Sequence, residues 1–220
     1  MSKTSKTLYV CTDCGAQAPK WAGQCSDCGA WNTLQETLAS PPSKADTRFA
    51  GYAGDEATRI RPLSEVSAEP TERLSTGLAE LDRVLGGGLV PGSVVLIGGD
   101  PGIGKSTLLV QALALLSEHV SALYLSGEES AEQISLRAQR LGLPIEHLNL
   151  LTETCVERVL ALIARDRPQV LGLDSIQTFY TESLQSAPGS VAQVRESTAR
   201  LVRFAKQTGS ALFLVGHVTK

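Results

Sequence analysis

The sequence predicts an α/β protein with a mostly parallel sheet, preceded by a small cysteine-rich module. Three observations lead to this fold class. Short apolar segments alternate with helical segments from about residue 94 onward, a glycine-rich P-loop motif follows the first apolar segment, and four of the five cysteines lie within the first 28 residues. Alternating buried strands and helices are typical of a parallel sheet that has helices on both faces.

The same alternation predicts the individual elements in chain order. Strands are expected at 94–98, 122–126, 148–151, 170–173 and 211–215, and helices at 105–117, 130–141, 154–165 and 191–207. Ser130 and Gln133 have the pattern of a capping box at the start of the second helix, and Gly142 and Pro144 follow its end. Cys155, at the start of the third helix, is predicted to be a small core residue.

The composition indicates a soluble globular protein. Of the 220 residues, 42% are hydrophobic and 20% are charged, and the formal net charge is −3. This charge argues against nucleic-acid binding through bulk positive charge, so any such contact needs a local basic patch. The N-terminal lysines are not followed by an apolar signal segment, and no run approaches the ~18 apolar residues of a membrane span. We therefore expect a cytoplasmic protein without membrane association.

The chain divides by composition into three segments. Residues 1–34 contain the clustered cysteines, and residues 35–70 carry Pro, Gly, Ser and charged residues without periodicity. Residues 71–220 carry the alternating strands and helices. We expect a four-cysteine module, a linker and an α/β domain, in that order.

A phosphate-binding loop is the most specific motif in the sequence. Residues 99–106 match G-x-x-x-x-G-K-[ST] directly after an apolar run. The glycines let backbone N–H groups face phosphates, the next helix presents its N-terminus, Lys105 can reach the β and γ oxygens, and Ser106 can ligate Mg²⁺. A glycine-rich turn that happens to precede a helix is the alternative. The predicted ATP-binding residues are Gly99, Asp100, Pro101, Gly102, Ile103, Gly104, Lys105, Ser106 and Thr107.

Three residues at strand ends are predicted to act with this loop. Asp174 is the candidate Walker B carboxylate for Mg²⁺, although a helix N-cap after a buried strand would have the same pattern. Glu128 is the candidate that orients the attacking water, with Glu129 as the fallback and two solvated glutamates as the alternative. His217 is a candidate γ-phosphate sensor, although a lone histidine is by default a surface or core residue. The predicted catalytic residues are Lys105, Glu128, Asp174 and His217, with Ser106 and Asp174 as the magnesium ligands.

The N-terminal cysteines predict a metal site. Two C-x2-C knuckles, separated by ten residues, can each supply two thiolates to one tetrahedral Zn²⁺. Trp21 and Trp31 are expected to pack over this site, which is too small to have a core of its own. Two disulfides in an oxidising compartment are the alternative, which a nucleotide-binding motif in the same chain disfavours. The predicted zinc ligands are Cys11, Cys14, Cys25 and Cys28.

Several short segments carry a family resemblance that covers both modules. Residues 20–23 and 28–33 are similar to a zinc finger, and residues 75–88 and 99–107 to the entry and P-loop of an ATPase. Three more segments belong to the same pattern, at residues 126–130, 174–178 and 186–196. Together they resemble the N-terminal part of the RadA (Sms) family, RecA-related ATPases of bacterial DNA repair.

This resemblance implies a RecA-like P-loop NTPase core preceded by a zinc ribbon. It implies a DNA-dependent ATPase of recombinational DNA repair that processes recombination intermediates, for example by branch migration. The implied cofactors are ATP, Mg²⁺ and Zn²⁺. The implied partners are single-stranded or branched DNA, recombination proteins of the RecA type, and further copies of the chain in a ring or filament.

The resemblance also implies where DNA would lie and how the chain continues. The segment between Asp174 and Val191 corresponds to a DNA-facing loop, and a second such loop begins after His217. Family members continue with the rest of the ATPase core, a Lys-Asn-Arg-Phe-Gly motif and a Lon-protease-like domain, so we expect this chain to be C-terminally truncated. A nucleotide-gated, KaiC-like signalling module and an inert truncated fragment are the alternative functions.

The predicted helix at 191–207 carries basic residues that could lie beside the DNA-facing loop that precedes it. Arg195, Arg203 and Lys206 fall within ~80° of one another on a helical wheel, with Arg200 to one side. Such a stripe could contact phosphates, and a solvated helix face would explain the same charges equally well.

Overall fold

The computed structural model describes residues 7–13, 16–18, 20–38, 62–65 and 72–217. The chain divides into two compact units, one within residues 1–50 and one within residues 51–220. No helix of the described ranges is long and apolar enough to cross a membrane. The domain boundaries at 34/35 and 70/71 stay a prediction. Most of the expected linker lies outside the described residues, although its first four residues belong to a strand that ends at Leu38.

The smaller unit is a three-stranded antiparallel sheet. Its strands are β1 (Thr7–Cys11), β2 (Gln17–Ala18) and β3 (Leu34–Leu38), in the order β2-β1-β3. Tyr9 lies opposite Ala18 on one side and Glu36 on the other. Cys11, Cys25 and Leu34 are the buried residues of this unit's apolar cluster. A cluster of this size contributes little burial, so a unit of this kind depends on cross-links or a metal for stability.

The larger unit contains a five-stranded, fully parallel sheet. Its strands are β4 (Val94–Gly99), β5 (Ala122–Ser126), β6 (Asn149–Leu151), β7 (Val170–Asp174) and β8 (Ala211–His217). The spatial order is β4-β8-β7-β5-β6. Every residue of β7 is buried, as expected for a strand covered on both faces. The predicted α/β fold with a parallel sheet is confirmed.

Helices cover both faces of this sheet. They are α1 (Ala79–Val84), α2 (Lys105–Ser117), α3 (Ala131–Arg140), α4 (Val156–Asp166) and α5 (Val191–Thr208), with 3₁₀ turns at Leu63–Glu65 and Ile176–Thr178. Side chains of β8 alternate between the two faces, because Phe213 packs with the residues of α2 and α3 while Leu212 packs with those of α4 and α5. The sheet therefore separates two apolar clusters.

Local signals explain where the helices begin and end. The Ser130 hydroxyl accepts a hydrogen bond from the Gln133 N–H at 3.4 Å, and the Gln133 side chain accepts one from the Ser130 N–H at 3.1 Å. The predicted capping box is thus present. Gly209, with φ 76°, ends α5 in the left-handed conformation. Cys155 is fully buried at the start of α4, as predicted.

The parallel arrangement brings the carboxyl ends of the strands to one edge of the sheet. At this edge Gly99 pairs with His217, and Ser126 pairs with Asp174. Loops that leave this edge connect β4 to α2, β5 to α3 and β7 to α5. In open α/β sheets, ligands bind outside the carboxyl ends of the strands. The predicted catalytic residues therefore share the edge where a ligand site is expected.

Candidate functional site

The P-loop connects β4 to α2 at this edge. Gly102 and Gly104 have φ of 82° and 98°, a left-handed conformation that turns successive N–H groups toward the same side. Lys105 is buried, with 6% of its surface exposed, and its ammonium donates to the carbonyl oxygens of Gly99 at 2.9 Å and Asp100 at 2.8 Å. The loop thus has the backbone conformation of an anion site, and the Lys105 ammonium is held beside it by two main-chain carbonyl oxygens.

Asp174 ends the central strand with one carboxylate oxygen engaged. Its Oδ2 accepts a hydrogen bond from the Tyr124 hydroxyl at 2.6 Å, and only 3% of the residue is exposed. Its Oδ1 is buried and has no hydrogen-bond partner within the described part of the chain. A buried carboxylate oxygen without a partner is costly, so a donor or a cation is expected at Oδ1. Burial and the adjacent Asp174 charge raise the pKa of Tyr124, which keeps the phenol protonated as a donor.

The Glu128 side chain, which follows β5, contacts residues at the ends of β7 and β8. Its Oε1 accepts a hydrogen bond from the Ser175 hydroxyl and lies 3.3 Å from Nε2 of His217. Ser175 follows β7, His217 ends β8, and Glu128 follows β5. About a third of each of the Glu128 and His217 side chains is exposed, so both can reach a ligand in solvent. The structure therefore brings these two predicted residues into contact, while their catalytic roles stay predictions.

Glu129, the fallback for Glu128, points into a different environment. Its carboxylate forms an ion pair with Arg137 on α3, and its carbonyl oxygen accepts a hydrogen bond from the Ser126 hydroxyl at 2.7 Å. The carboxylate of Glu129 is thus engaged with α3, whereas that of Glu128 contacts the other strand ends. Of the two glutamates, the geometry favours Glu128.

Gln177 is a site residue that the sequence reasoning did not single out. It lies in the 3₁₀ turn after β7, and its Nε2 donates to the carbonyl oxygen of His217 at 3.2 Å. Its Oε1 and the Nδ1 of His217 are buried without a hydrogen-bond partner among the residues that the structure describes. The only signal in the sequence was its place in the segment 174–178.

The segment after Asp174 is anchored at its far end by Gln193. This side chain is 1% exposed, and its Oε1 accepts a hydrogen bond from the Thr181 N–H at 2.8 Å. Its Nε2 shares two N–H donors among the carbonyl oxygens of Thr181, Leu184 and Ser186, which lie 2.9–3.2 Å away. A fully used amide fixes the loop that crosses it. The first helical turn of α5 therefore orders the connection from β7.

The basic residues of α5 have different environments. Arg200 forms ion pairs with Glu157 and Glu196, so it serves the packing of α4 against α5. Arg195 and Lys206 are exposed, and Arg203 is half-buried. The predicted stripe therefore offers two exposed charges and one partly covered charge, with Arg200 engaged elsewhere.

The cysteines of the smaller unit form a candidate metal site. The Sγ atoms of Cys11, Cys25 and Cys28 all lie within 4.8 Å of one another, and those of Cys11 and Cys28 are 3.7 Å apart. A tetrahedral zinc site with ~2.3 Å bonds separates its sulfur atoms by about 3.8 Å, so these thiols fit the metal. The Gly29 N–H donates to the Cys25 carbonyl at 2.9 Å and closes the second knuckle. Cys14, the fourth predicted ligand, lies outside the described residues.

The tryptophans do not cover this site. Trp21 is 58% exposed and Trp31 is 70% exposed, whereas Leu34 is buried beside Cys11 and Tyr9 packs against the same cluster. The expectation that the two tryptophans pack over the metal site was therefore wrong. The antiparallel strands supply the apolar neighbours instead, and the tryptophans lie on the segment between the knuckles and just beyond them.

The fold and the loop geometry define a P-loop protein with a parallel α/β core and an N-terminal ribbon. Comparison with known proteins identifies the families to which the two modules are similar. The chain belongs to the AAA domain family, whose model matches residues 60–220. Residues 9–36 match the model described as a rubredoxin metal binding domain.

Individual relatives agree with the resemblance drawn from the motifs. The DNA repair protein RadA of Pseudomonas aeruginosa is 59% identical over 98% of this chain. The RadA proteins of Haemophilus influenzae and Escherichia coli are 52% and 51% identical over the whole chain. The chain covers 47–48% of the length of these curated relatives, so it spans about half of each. The resemblance to the N-terminal part of RadA is confirmed.

Proposed function

We propose that the protein is a DNA-dependent ATPase that processes recombination intermediates in DNA repair. One observation carries the proposal: Glu128 contacts both Ser175 and His217 at the sheet edge where the P-loop lies. A carboxylate at this position can respond to a nucleotide and is bonded to the start of the loop that follows Asp174. Support for the biological role comes from relatives that carry the name DNA repair protein RadA.

ATP and Mg²⁺ fit the residues at this edge. The N–H groups of the loop and the Lys105 ammonium would bind the β- and γ-phosphates, and Ser106 and the buried Oδ1 of Asp174 would hold the metal ion. The ion would neutralise charge on the phosphate oxygens. Orientation of the nucleotide is the task of Lys105, because its ammonium can exchange the carbonyl oxygen of Gly99 or Asp100 for a phosphate oxygen.

Glu128 is proposed to orient the attacking water and to accept its proton at a carboxylate oxygen. His217 lies beside Gly99 on the neighbouring strand and contacts the same Glu128, so it can report loss of the γ-phosphate. Gln177 donates a hydrogen bond to the His217 carbonyl oxygen, so a movement of His217 would be transmitted to Gln177 and to the loop between β7 and α5. Hydrolysis and loop geometry would thereby be linked.

DNA is proposed to contact the segment 175–190 and the exposed basic residues of α5. Arg195 and Lys206 are exposed, so their charges are available to phosphates. Replacing either residue with Ala should weaken single-stranded DNA binding for all sequences and reduce the salt slope by about 1. Arg140→Ala, an exposed charge on α3, is the matched control.

The remaining assignments are also proposals. We propose that the ribbon binds Zn²⁺ through Cys11, Cys14, Cys25 and Cys28, that the protein is cytoplasmic, and that it acts as a homo-oligomer with proteins of the RecA type. A Cys11→Ser, Cys14→Ser double variant should lose stoichiometric zinc, measured by atomic absorption. Retention of one zinc per chain would contradict this ligand set.

The central test is ATP turnover by the product of the complete reading frame, with and without single-stranded DNA. We expect DNA to raise the rate, and Lys105→Ala to abolish turnover in both conditions. Arg165→Ala removes an exposed charge at the end of α4 and should behave as the wild type. Equal rates with and without DNA would refute DNA coupling and favour a nucleotide-gated signalling module.

A further inference from the structure

We infer that Tyr124 is a positioning residue for Asp174, fixing one carboxylate oxygen so that the other is directed to a metal-bound nucleotide. This inference rests on the proposed function, because it concerns how the Mg²⁺–ATP complex is held. The Tyr124 hydroxyl donates to Oδ2 of Asp174 at 2.6 Å, and Oδ1 is left buried without a partner in the described chain. The two oxygens of one carboxylate thus have different environments.

The position of Tyr124 in the sheet makes this contact possible. Tyr124 pairs in register with Gly172, and Asp174 lies two residues further along the same neighbouring strand. Residues two apart on a strand project from the same face, so the tyrosine side chain runs along the sheet toward the carboxylate. A phenylalanine ring at this position would have no polar atom to reach the carboxylate, whereas the tyrosine hydroxyl extends beyond the ring and donates to it.

The ring of Tyr124 is held by packing. Only 1% of the residue is exposed, and it belongs to the apolar cluster that contains Val110, Leu113 and Ile134. A buried ring has few alternative rotamers, so its hydroxyl occupies a defined place. Tyr124 therefore connects the packed core to the carboxylate through a single polar atom.

A fixed Oδ2 limits rotation of the Asp174 carboxylate. Without the hydroxyl, the group could turn about its Cβ–Cγ bond, and Oδ1 would lose its defined direction. Removing a hydrogen-bond partner of a metal-ligating carboxylate typically lowers metal affinity 10–100-fold. A purely structural role for the hydroxyl, to satisfy its own burial, would leave the metal dependence of nucleotide binding unchanged.

The test uses Tyr124→Phe, which keeps the ring and removes the hydroxyl. Calorimetry of the full-length protein would measure ATP binding with Mg²⁺ and with excess chelator. We expect the affinity gained from Mg²⁺ to fall at least 10-fold, while the metal-free affinity stays within twofold of the wild type. Ser210→Ala is the matched control, because it removes a buried hydroxyl bonded to the Pro168 carbonyl at the opposite edge of the sheet.

A second variant separates positioning from folding. In an Asp174→Asn background, where no carboxylate remains to be directed, adding Tyr124→Phe should change the Mg²⁺-dependent affinity less than twofold. Equal losses with and without Mg²⁺, or an unchanged Mg²⁺ gain in Tyr124→Phe, would overturn the inference. Failure of the wild type to bind Mg²⁺–ATP would instead refute the proposed function, so the two failures are distinguishable.

Discussion

Glu157→Gln should destabilise the larger unit in a pH-dependent way. Glu157 lies in the first turn of α4, and its carboxylate accepts hydrogen bonds from the Arg200 guanidinium, the Thr181 hydroxyl and the Glu182 N–H. These partners come from α5 and from the loop that precedes it. The substitution keeps the shape of the side chain, but it removes the charge and replaces one accepting oxygen with an NH2 donor, so it weakens the charge-assisted hydrogen bonds of this contact.

The magnitude follows from the pKa of Glu157. Burial raises this pKa, but the hydrogen bonds from Thr181 and the main chain outweigh burial and lower the pKa from 4.5 to about 2. A difference of one in pKa corresponds to about 1.4 kcal/mol, so the contribution to the free energy of unfolding is at most about 3.5 kcal/mol. The side chain is 34% exposed, and solvent screening reduces the expected contribution to about 1–2 kcal/mol.

The sign of the pH dependence follows from the lowered pKa. The folded protein holds Glu157 ionised more strongly than the unfolded chain does, so the stabilisation is complete above about pH 4.5 and is lost as the pH falls toward 2. Glu157→Gln should therefore cost about 1–2 kcal/mol at pH 7, which lowers Tm by roughly 2–8 °C, and less at pH 3.5.

Urea unfolding of both proteins at pH 7, 5, 4 and 3.5 would measure this difference. Glu146→Gln, which removes an exposed carboxylate elsewhere in the same unit, is the matched control and should leave the free energy of unfolding within about 0.5 kcal/mol. A cost for Glu157→Gln that is the same at pH 7 and pH 3.5, or absent at both, would refute the reasoning.

Three further predictions concern packing, loop order and the metal. Gly172→Ala should lower the free energy of unfolding by about 1–3 kcal/mol in thermal or urea unfolding, because its Cβ would lie 2.4 Å from Leu113 Cδ1; an unchanged midpoint would contradict close packing of α2 on β7. Gln193→Leu should raise the rate of proteolytic cleavage within residues 181–190, since the loop loses its bonds to the amide; equal cleavage rates would count against this anchor. Chelation should lower tryptophan anisotropy, because Trp21 and Trp31 are the only tryptophans and lie in the ribbon; constant anisotropy would oppose a structural metal.

The regular elements were accessible from the sequence because their signals are local. All five strands and four of the helices of the larger unit were predicted to within two residues at every end, since apolar runs and caps such as Ser130 mark them. Helix α1 was not predicted, because six residues are too short for a clear period. The turn at residues 99–106 and the place of Asp174 at the end of β7 were also predicted, since a short motif and a strand end define them, while the roles of these residues stay predictions.

Contacts between distant residues could not be predicted in the same way. Tyr124 has the pattern of an ordinary core residue in a strand, and its bond to Asp174 depends on the order of β5 and β7 in the sheet. Glu157 and Arg200 are 43 residues apart and meet only because α4 and α5 cover the same face. The tryptophans failed for the same reason. Their closeness to the cysteines in sequence suggested that they pack over the metal site, but the pairing of β1 with β3 places Tyr9 and Leu34 beside the cysteines instead.

The internal bonding of Lys105 fixes its cation before any anion arrives. An ammonium has three N–H donors, and two of them already point at the carbonyl oxygens of Gly99 and Asp100. A long lysine side chain normally loses rotamer freedom when it is held in one place, and here folding has already removed that freedom. An anion that reaches the loop would therefore meet a positive charge that needs no further ordering.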